Sequence, residues 1–185
     1  MAGNYTEAEL DFWRKKQMLV CKVRDANKDG ILTRADYMTL INRYRELNTS
    51  PDDEHFKALN DSFCANIEYL GFKDDSMTMT YDEFIKRFSA VLDGDKMTID
   101  ACRLYFSEMF RIIDTDGSGK IEFKEWVVYY EILEIDTAHA RASFDAMDTN
   151  GDGVVSEEEF IAYNEEFFGS VKDDLKSSIM FGPLE

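Results

Sequence analysis

The sequence predicts an all-α protein of four helix–loop–helix units packed as two pairs in one compact globule, with short β bridges between paired loops. Three observations lead there. Two prolines and ten glycines in 185 residues, the glycines mostly in short acidic segments, leave long stretches for helices and only brief turns between them. Twelve-residue segments at 25–36, 114–125 and 148–159 (DANKDGILTRAD, DTDGSGKIEFKE and DTNGDGVVSEEE) align without gaps, the mark of a repeated structural unit. Finally, 44% of the chain is hydrophobic and 14% aromatic, although 38 Asp and Glu stand against 21 Lys and Arg. A net charge of −17 on so apolar a chain suits a folded protein with cations to neutralise, and disfavours nucleic acid and anionic membrane as partners.

Thr6 followed by Glu9 forms a capping box at the start of the first helix. Its apolar face runs through Leu10, Trp13, Gln17 or Met18, Val20 and Cys21 to the first loop. A second unit opens at Ser50-Pro51-Asp52-Asp53, with an N-cap, proline in the first turn and acid beside it, and continues through Phe56, Phe63, Ile67 and Leu70. Its loop is expected to be silent. The exit pattern returns at Thr78–Phe84, which puts Glu83 at position 12, Met79 at 8, Met77 at 6 and Phe72 at 1. A ring cannot coordinate a cation and the turn glycine is lost, so pairing with loop one is the role left to this segment.

Leu104, Phe106, Met109, Phe110 and Ile113 line the helix entering the loop at 114; Trp126, Val127, Tyr130 and Leu133 line the one leaving it. Phe144 and Met147 precede the last loop, and Phe160, Ile161, Phe167 and Phe168 follow it. Thr80/Glu83 and Ser156/Glu159 repeat the capping logic where exiting helices begin. The short joint Asp93-Gly94-Asp95-Lys96 separates an N-terminal pair, 1–92, from a C-terminal pair, 93–185, whose tail 169–185 carries Val171, Leu175, Ile179, Met180, Phe181 and Leu184. That tail has enough apolar surface to fill a groove from within. Cys21, Cys64 and Cys102 are odd in number, widely spaced and flanked by apolar residues, and are read as buried free thiols.

The repeat has a chemical reading. A hard cation of calcium's size takes six to eight oxygens at about 2.3–2.6 Å, which a twelve-residue loop supplies from alternate positions. Candidate ligands are therefore Asp25, Asn27 and Asp29 in the first loop, Asp114, Asp116 and Ser118 in the next, and Asp148, Asn150 and Asp152 in the last. Position 7 offers its backbone carbonyl, from Ile31, Lys120 or Val154, while Thr33, Glu122 or Ser156 at position 9 acts through water. Gly30, Gly119 and Gly153 permit a left-handed turn that a side chain would penalise. Leu32, Ile121 and Val155 at position 8 are apolar because paired loops join there.

The twelfth position separates the sites. Glu125 and Glu159 are long enough to chelate with both oxygens, whereas Asp36 is one methylene shorter and suits the six-fold coordination of magnesium. The expectation is three calcium sites, with the one at 25–36 shared between calcium and magnesium.

With four such units, a silent second one and a C-terminal extension ending Met180-Phe181-Gly182-Pro183-Leu184, the sequence resembles the sarcoplasmic calcium-binding proteins of invertebrates, an EF-hand family. The resemblance runs along essentially the whole chain and is most specific in ASFDAMDTNGDGVVSEEEF at 142–160 and in the terminal FGPL. It implies a compact particle with the hand pairs face to face, acting as a cytosolic buffer of calcium and magnesium. Related groups include calexcitin-like proteins, coelenterazine-binding proteins and photoproteins.

Other functions are weighed against that. An enzyme needs a positioned nucleophile or acid–base pair, but His55 and His139 are the two histidines and neither sits near a cysteine motif. No histidine or tryptophan follows Ser156, a departure from the photoprotein pattern. A calcium sensor and a coelenterazine-type carrier are the stronger alternatives. The nine methionines are scattered over all four units, which argues against an adaptable target groove. The start MAGNYTEAEL shows no basic region leading into an apolar run, Ala2 stands where N-myristoylation needs glycine, and no segment approaches eighteen apolar residues. A cytoplasmic monomer that needs no protein target is expected.

Overall fold

In the computed structural model, which describes residues 5–47, 57, 60, 61, 64, 68, 71–173 and 176–184, the first capping box forms in full: Glu9 N donates to Thr6 Oγ1 and Thr6 N to Glu9 Oε2. Helix α1 then runs Glu7–Arg24, acids in its first turn and Lys22 and Arg24 in its last complementing the helix dipole. Trp13, Lys16, Gln17, Val20, Cys21 and Arg24 are its buried positions, spaced as one helical face. Strand β1 (Ile31–Thr33) leads into α2 (Arg34–Leu47). Further on come β2 (Thr78–Thr80), α3 (Tyr81–Phe88), α4 (Lys96–Ile113), β3 (Lys120–Glu122), α5 (Phe123–Ile132), α6 (Ala140–Met147), β4 (Val154–Ser156) and α7 (Glu157–Gly169). The expected caps at Thr80/Glu83 and Ser156/Glu159 are both formed.

The strands pair as the loop alignment requires. In β1–β2, antiparallel, Leu32 faces Met79; in β3–β4, Ile121 faces Val155. Leu32, Ile121 and Val155 are fully buried, so each bridge also closes one end of the core. The silent unit is thereby held in register with loop one, and its Phe72, instead of facing a loop interior, is buried with its ring 5.3 Å from that of Tyr37.

First and last helices are joined by polar side chains in an apolar setting. Trp13 Nε1 donates to the Phe168 carbonyl at 2.7 Å, and the buried Lys16 Nζ donates to the carbonyls of Phe167 and Ser170. Phe167 and Phe168 belong to the last turn of α7, which has no intrahelical partner for their carbonyls, and Ser170 is its C-cap. Nearby, the buried Arg24 guanidinium lies among the rings of Tyr37, Phe84, Tyr105 and Phe168, its carbon 5.0–6.0 Å from their centroids. A cation desolvated among aromatic faces gains roughly 2 kcal/mol from them.

The tail returns to the core. Val171, Met180 and Phe181 are buried, Phe181 meets Phe167 edge to face at 5.5 Å, and Tyr130 Oη donates to the Met180 carbonyl at 2.7 Å. Tyr130 and Trp126 also share the buried hydroxyl of Ser143, which ties α5, α6 and the tail into one network.

Several expectations are corrected. Leu104 is 60% exposed, because α4 turns it away from the face that buries Phe106, Phe110 and Ile113. Cys64 is only half-buried, while Cys21 and Cys102 are buried. There, burial pushes the thiols up, to about 12 and about 11 respectively, which keeps them protonated. His139 closes a short 3-10 turn (Thr137–His139) ahead of α6 and packs against Gly182. The cap at Ser50–Asp53, the residues Phe56, Phe63, Ile67, Leu70 and His55, and Leu175 in the tail lie outside the described residues.

Candidate metal centres

In each of the three aligned loops, the acid at position 1 ends the preceding helix and turns its carboxylate back over the loop. Asp25 Oδ1 accepts from the amides of Lys28 and Asp29, and Oδ2 from Gly30 N at 2.7 Å. Asp114 Oδ2 accepts from Gly119 N at 2.8 Å and Oδ1 from Ser118 N. Asp148 Oδ2 accepts from Gly153 N at 2.9 Å and Oδ1 from the amides of Gly151 and Asp152. The turn glycines have φ of +87°, +77° and +87°, in the left-handed region that costs a side-chain-bearing residue about 1–2 kcal/mol. Met77, their counterpart in the silent loop, is not among the positive-φ residues.

A second turn is repeated around the rim. The position 5 amide donates to the position 3 side chain: Asp29 N to Asn27 Oδ1, Ser118 N to Asp116 Oδ1, Asp152 N to Asn150 Oδ1. Position 3 and position 5 side chains are exposed, whereas Asp25, Asp114, Asp36 and Glu125 are buried. The loops at 25–36 and 114–125 are thus cups with a buried base and an open rim, whereas in the last loop Asp148 and Glu159 at the base are half-buried. Asp114, Asp116 and Glu125 bring one oxygen each within 4.8 Å of one another, the one such trio among the described residues.

The twelfth residue distinguishes the loops in structure as in sequence. Glu125 Oε1 accepts from the amide and hydroxyl of Thr115, and Oε2 from Glu122 N, so this one carboxylate clasps both ends of its loop. Glu159 does the same with Thr149, Asn150 and Ser156. Among the described residues, the Asp36 carboxylate binds only the amide and hydroxyl of Thr33, on the exit side. The sequence reading missed Thr115 and Thr149; the signal was present, since position 2 is Thr in both Glu-ended loops and Ala26 in the Asp-ended one.

These contacts set the charge. Burial opposes ionisation of Glu159, yet the donors of Ser156, Thr149 and Asn150 outweigh it and hold the carboxyl down to about 2. Burial likewise opposes ionisation of Asp25, and the Tyr81 hydroxyl with the amides of Gly30, Asp29 and Lys28 brings it below the usual carboxylate range. At Asp114 burial prevails and raises the carboxyl, with Glu125 adding like-charge repulsion. A buried carboxylate in that position gains most from a positive ion. The donor set, all oxygen and mostly anionic, fits a hard divalent cation and offers no sulfur or imidazole for zinc or copper.

Seven described helices, two loop-to-loop bridges and oxygen-lined twelve-residue loops define an EF-hand calcium-binding protein. Accordingly, the EF-hand domain pair family matches residues 102–163. The sarcoplasmic calcium-binding protein of Perinereis vancaurica tetradentata is 30% identical, over 94% of this chain and 99% of its own. That of Hediste diversicolor is 29% identical, over 94% and 99%. The chain belongs to the sarcoplasmic calcium-binding protein family. In fold it is also similar to the coelenterazine-binding protein of Renilla muelleri in its calcium-loaded apo form, with a TM-score of 0.82, 19% identity, and coverage of 97% of this chain and 100% of that one.

Proposed function

We propose that this protein is a cytosolic calcium and magnesium buffer that holds three divalent ions, has no enzymatic activity and works as a monomer. Its ligands are Asp25, Asn27, Asp29, the Ile31 carbonyl and Asp36; Asp114, Asp116, Ser118, the Lys120 carbonyl and Glu125; and Asp148, Asn150, Asp152, the Val154 carbonyl and Glu159. The first site is shared by calcium and magnesium, because Asp36 stops short of the start of its loop. The pairs 1–92 and 93–185 act as two halves of one particle, and no helix among the described residues is long and apolar enough to cross a membrane.

The observation that carries this reading is a core filled by the chain itself. A sensor answers calcium by opening a pair of hands onto a groove for a target. Here that surface is occupied by Met180 and Phe181, pinned through Tyr130. The carrier reading draws on the fold likeness to coelenterazine-binding protein and on an apolar cavity beside Arg24, lined by Tyr37, Tyr105, Tyr129 and Phe181. At about 30 Å³ that cavity has room for a water molecule or two. Small-molecule sites run to about 300 Å³ and more.

Native mass spectrometry is expected to find three calcium ions per chain, and a hydrophobic dye to bind equally weakly with and without calcium. Two ions or fewer at saturation, calcium-dependent capture of a stoichiometric protein target, or an extractable chromophore would overturn the proposal.

A further inference from the structure

The silent hand does more than pair with its neighbour. The register that sets Thr80 opposite Ile31 places the next residue, Tyr81, alongside the turn of loop one, and its hydroxyl donates to Asp25 Oδ2 at 2.7 Å. That oxygen also receives Gly30 N, and Oδ1 receives the amides of Lys28 and Asp29, so among the described residues Tyr81 is the one donor to Asp25 from outside its own loop. In the second pair the equivalent residues behave differently. Lys120 faces Ser156, so Glu157 is the counterpart of Tyr81, and it accepts from Ser107 Oγ; Glu122 faces Val154, so Phe123 is the other counterpart and has no polar group to offer. Among the described residues, Asp114 Oδ2 and Asp148 Oδ2 receive the glycine amide and no donor from the partner hand.

We infer that Tyr81 is a positioning residue for the metal site at 25–36: a degenerate hand that cannot hold an ion fixes the first ligand of the hand that does. The physical need is plain. Loop one lacks both the long twelfth carboxylate and the position 2 threonine that clasp the other loops, so its base is held from fewer directions. A phenol anchored on β2 and α3 supplies the missing restraint from outside, in the way that outer groups orient a metal's ligands. Its ring is rigid and half-buried, so the donor is in place before an ion arrives.

The inference rests on the reading of 25–36 as a metal site, and one experiment separates the two. Amide resonances of Gly30, Gly119 and Gly153 report the three loops individually during calcium and magnesium titrations of the full chain. If Gly30 of the unaltered protein does not titrate, the site itself is refuted and Tyr81 with it. If it does, Tyr81→Phe is expected to move the Gly30 midpoints about tenfold to higher metal, with Gly119 and Gly153 within twofold. A Gly30 midpoint within twofold of the original overturns the inference, and so does an equal shift at all three glycines, which would mark a general loss of fold. Should the variant not fold, the Tyr81 ring resonances of the unaltered chain serve instead. They must follow Gly30 in midpoint, and a ring signal that stays still or follows Gly119 or Gly153 overturns the assignment.

Discussion

The loop at 25–36 and the loop at 114–125 share their length, their alternation of oxygens and their left-handed glycine, yet they are held together by different means. Loop three is self-contained: Glu125 reaches across it to Thr115, and glycine also takes the left-handed position 4, Gly117 at φ +67°. Loop one depends on its surroundings. Its Asp36 does not reach Ala26, its position 4 is Lys28 at φ +61°, and its contacts from outside are the Tyr81 hydroxyl across the β bridge and, at the exposed surface, Glu134, whose carboxylate lies 2.6 Å from Lys28 Nζ. A binding loop can thus be closed by its own twelfth residue or by its neighbours. Only the first kind should be indifferent to changes elsewhere.

The largest effect expected from this contrast is at the twelfth position. Glu125→Gln should weaken calcium binding at Gly119 by about two orders of magnitude, since it removes the charge and the clasp together. Asp36→Asn should cost the Gly30 site less; equal losses, read by the same glycine resonances, would abolish the distinction. Next, Ala26→Thr with Asp36→Glu rebuilds loop one on the pattern of loop three. It should raise calcium affinity at Gly30 by about tenfold while magnesium affinity there falls, as calorimetry in either ion would register.

A smaller effect concerns the tail, which packs on the self-contained half. Tyr130→Phe removes the donor to the Met180 carbonyl and should lower thermal stability by about 1 kcal/mol, with brighter hydrophobic-dye fluorescence and unchanged midpoints at Gly30. The gentlest test uses pH on the joint common to both halves. Burial pushes Lys16 down to about 8 from its ordinary 10.5, the charge of Glu166 opposing the shift. Between those values the unfolded chain holds more protons at this group than the folded one, so stability should rise with pH from about 8 to 10.5 and be flat below, at less than about 1.4 kcal/mol per pH unit. The difference in denaturant midpoint between the unaltered chain and Lys16→Met isolates this slope; a difference independent of pH would refute it.

Much of this architecture was legible in the residues. Loop spacing gave the register of both bridges, because an apolar position 8 must meet its partner, and capping boxes at Thr6, Thr80 and Ser156 gave the starts of three helices. Helical periodicity marked Trp13, Phe110, Trp126 and Phe160 as core but misplaced Leu104, since spacing identifies a face without saying how wide the neighbour's cover is. Tyr81 was visible only as one more aromatic residue in a silent segment. Nothing in the spacing of a single chain says that its hydroxyl ends beside a carboxylate fifty-six residues away.

By itself, the sequence determined which three loops carry oxygen side chains at the intervals a divalent cation needs and which hand lacks them, because those intervals are local. Tertiary structure alone decided that the tail fills the core, that Lys16 and Trp13 seal the last helix, and that the silent hand grips the first site. Those contacts join residues distant along the chain, and they exist only once packing has brought two surfaces within hydrogen-bond reach.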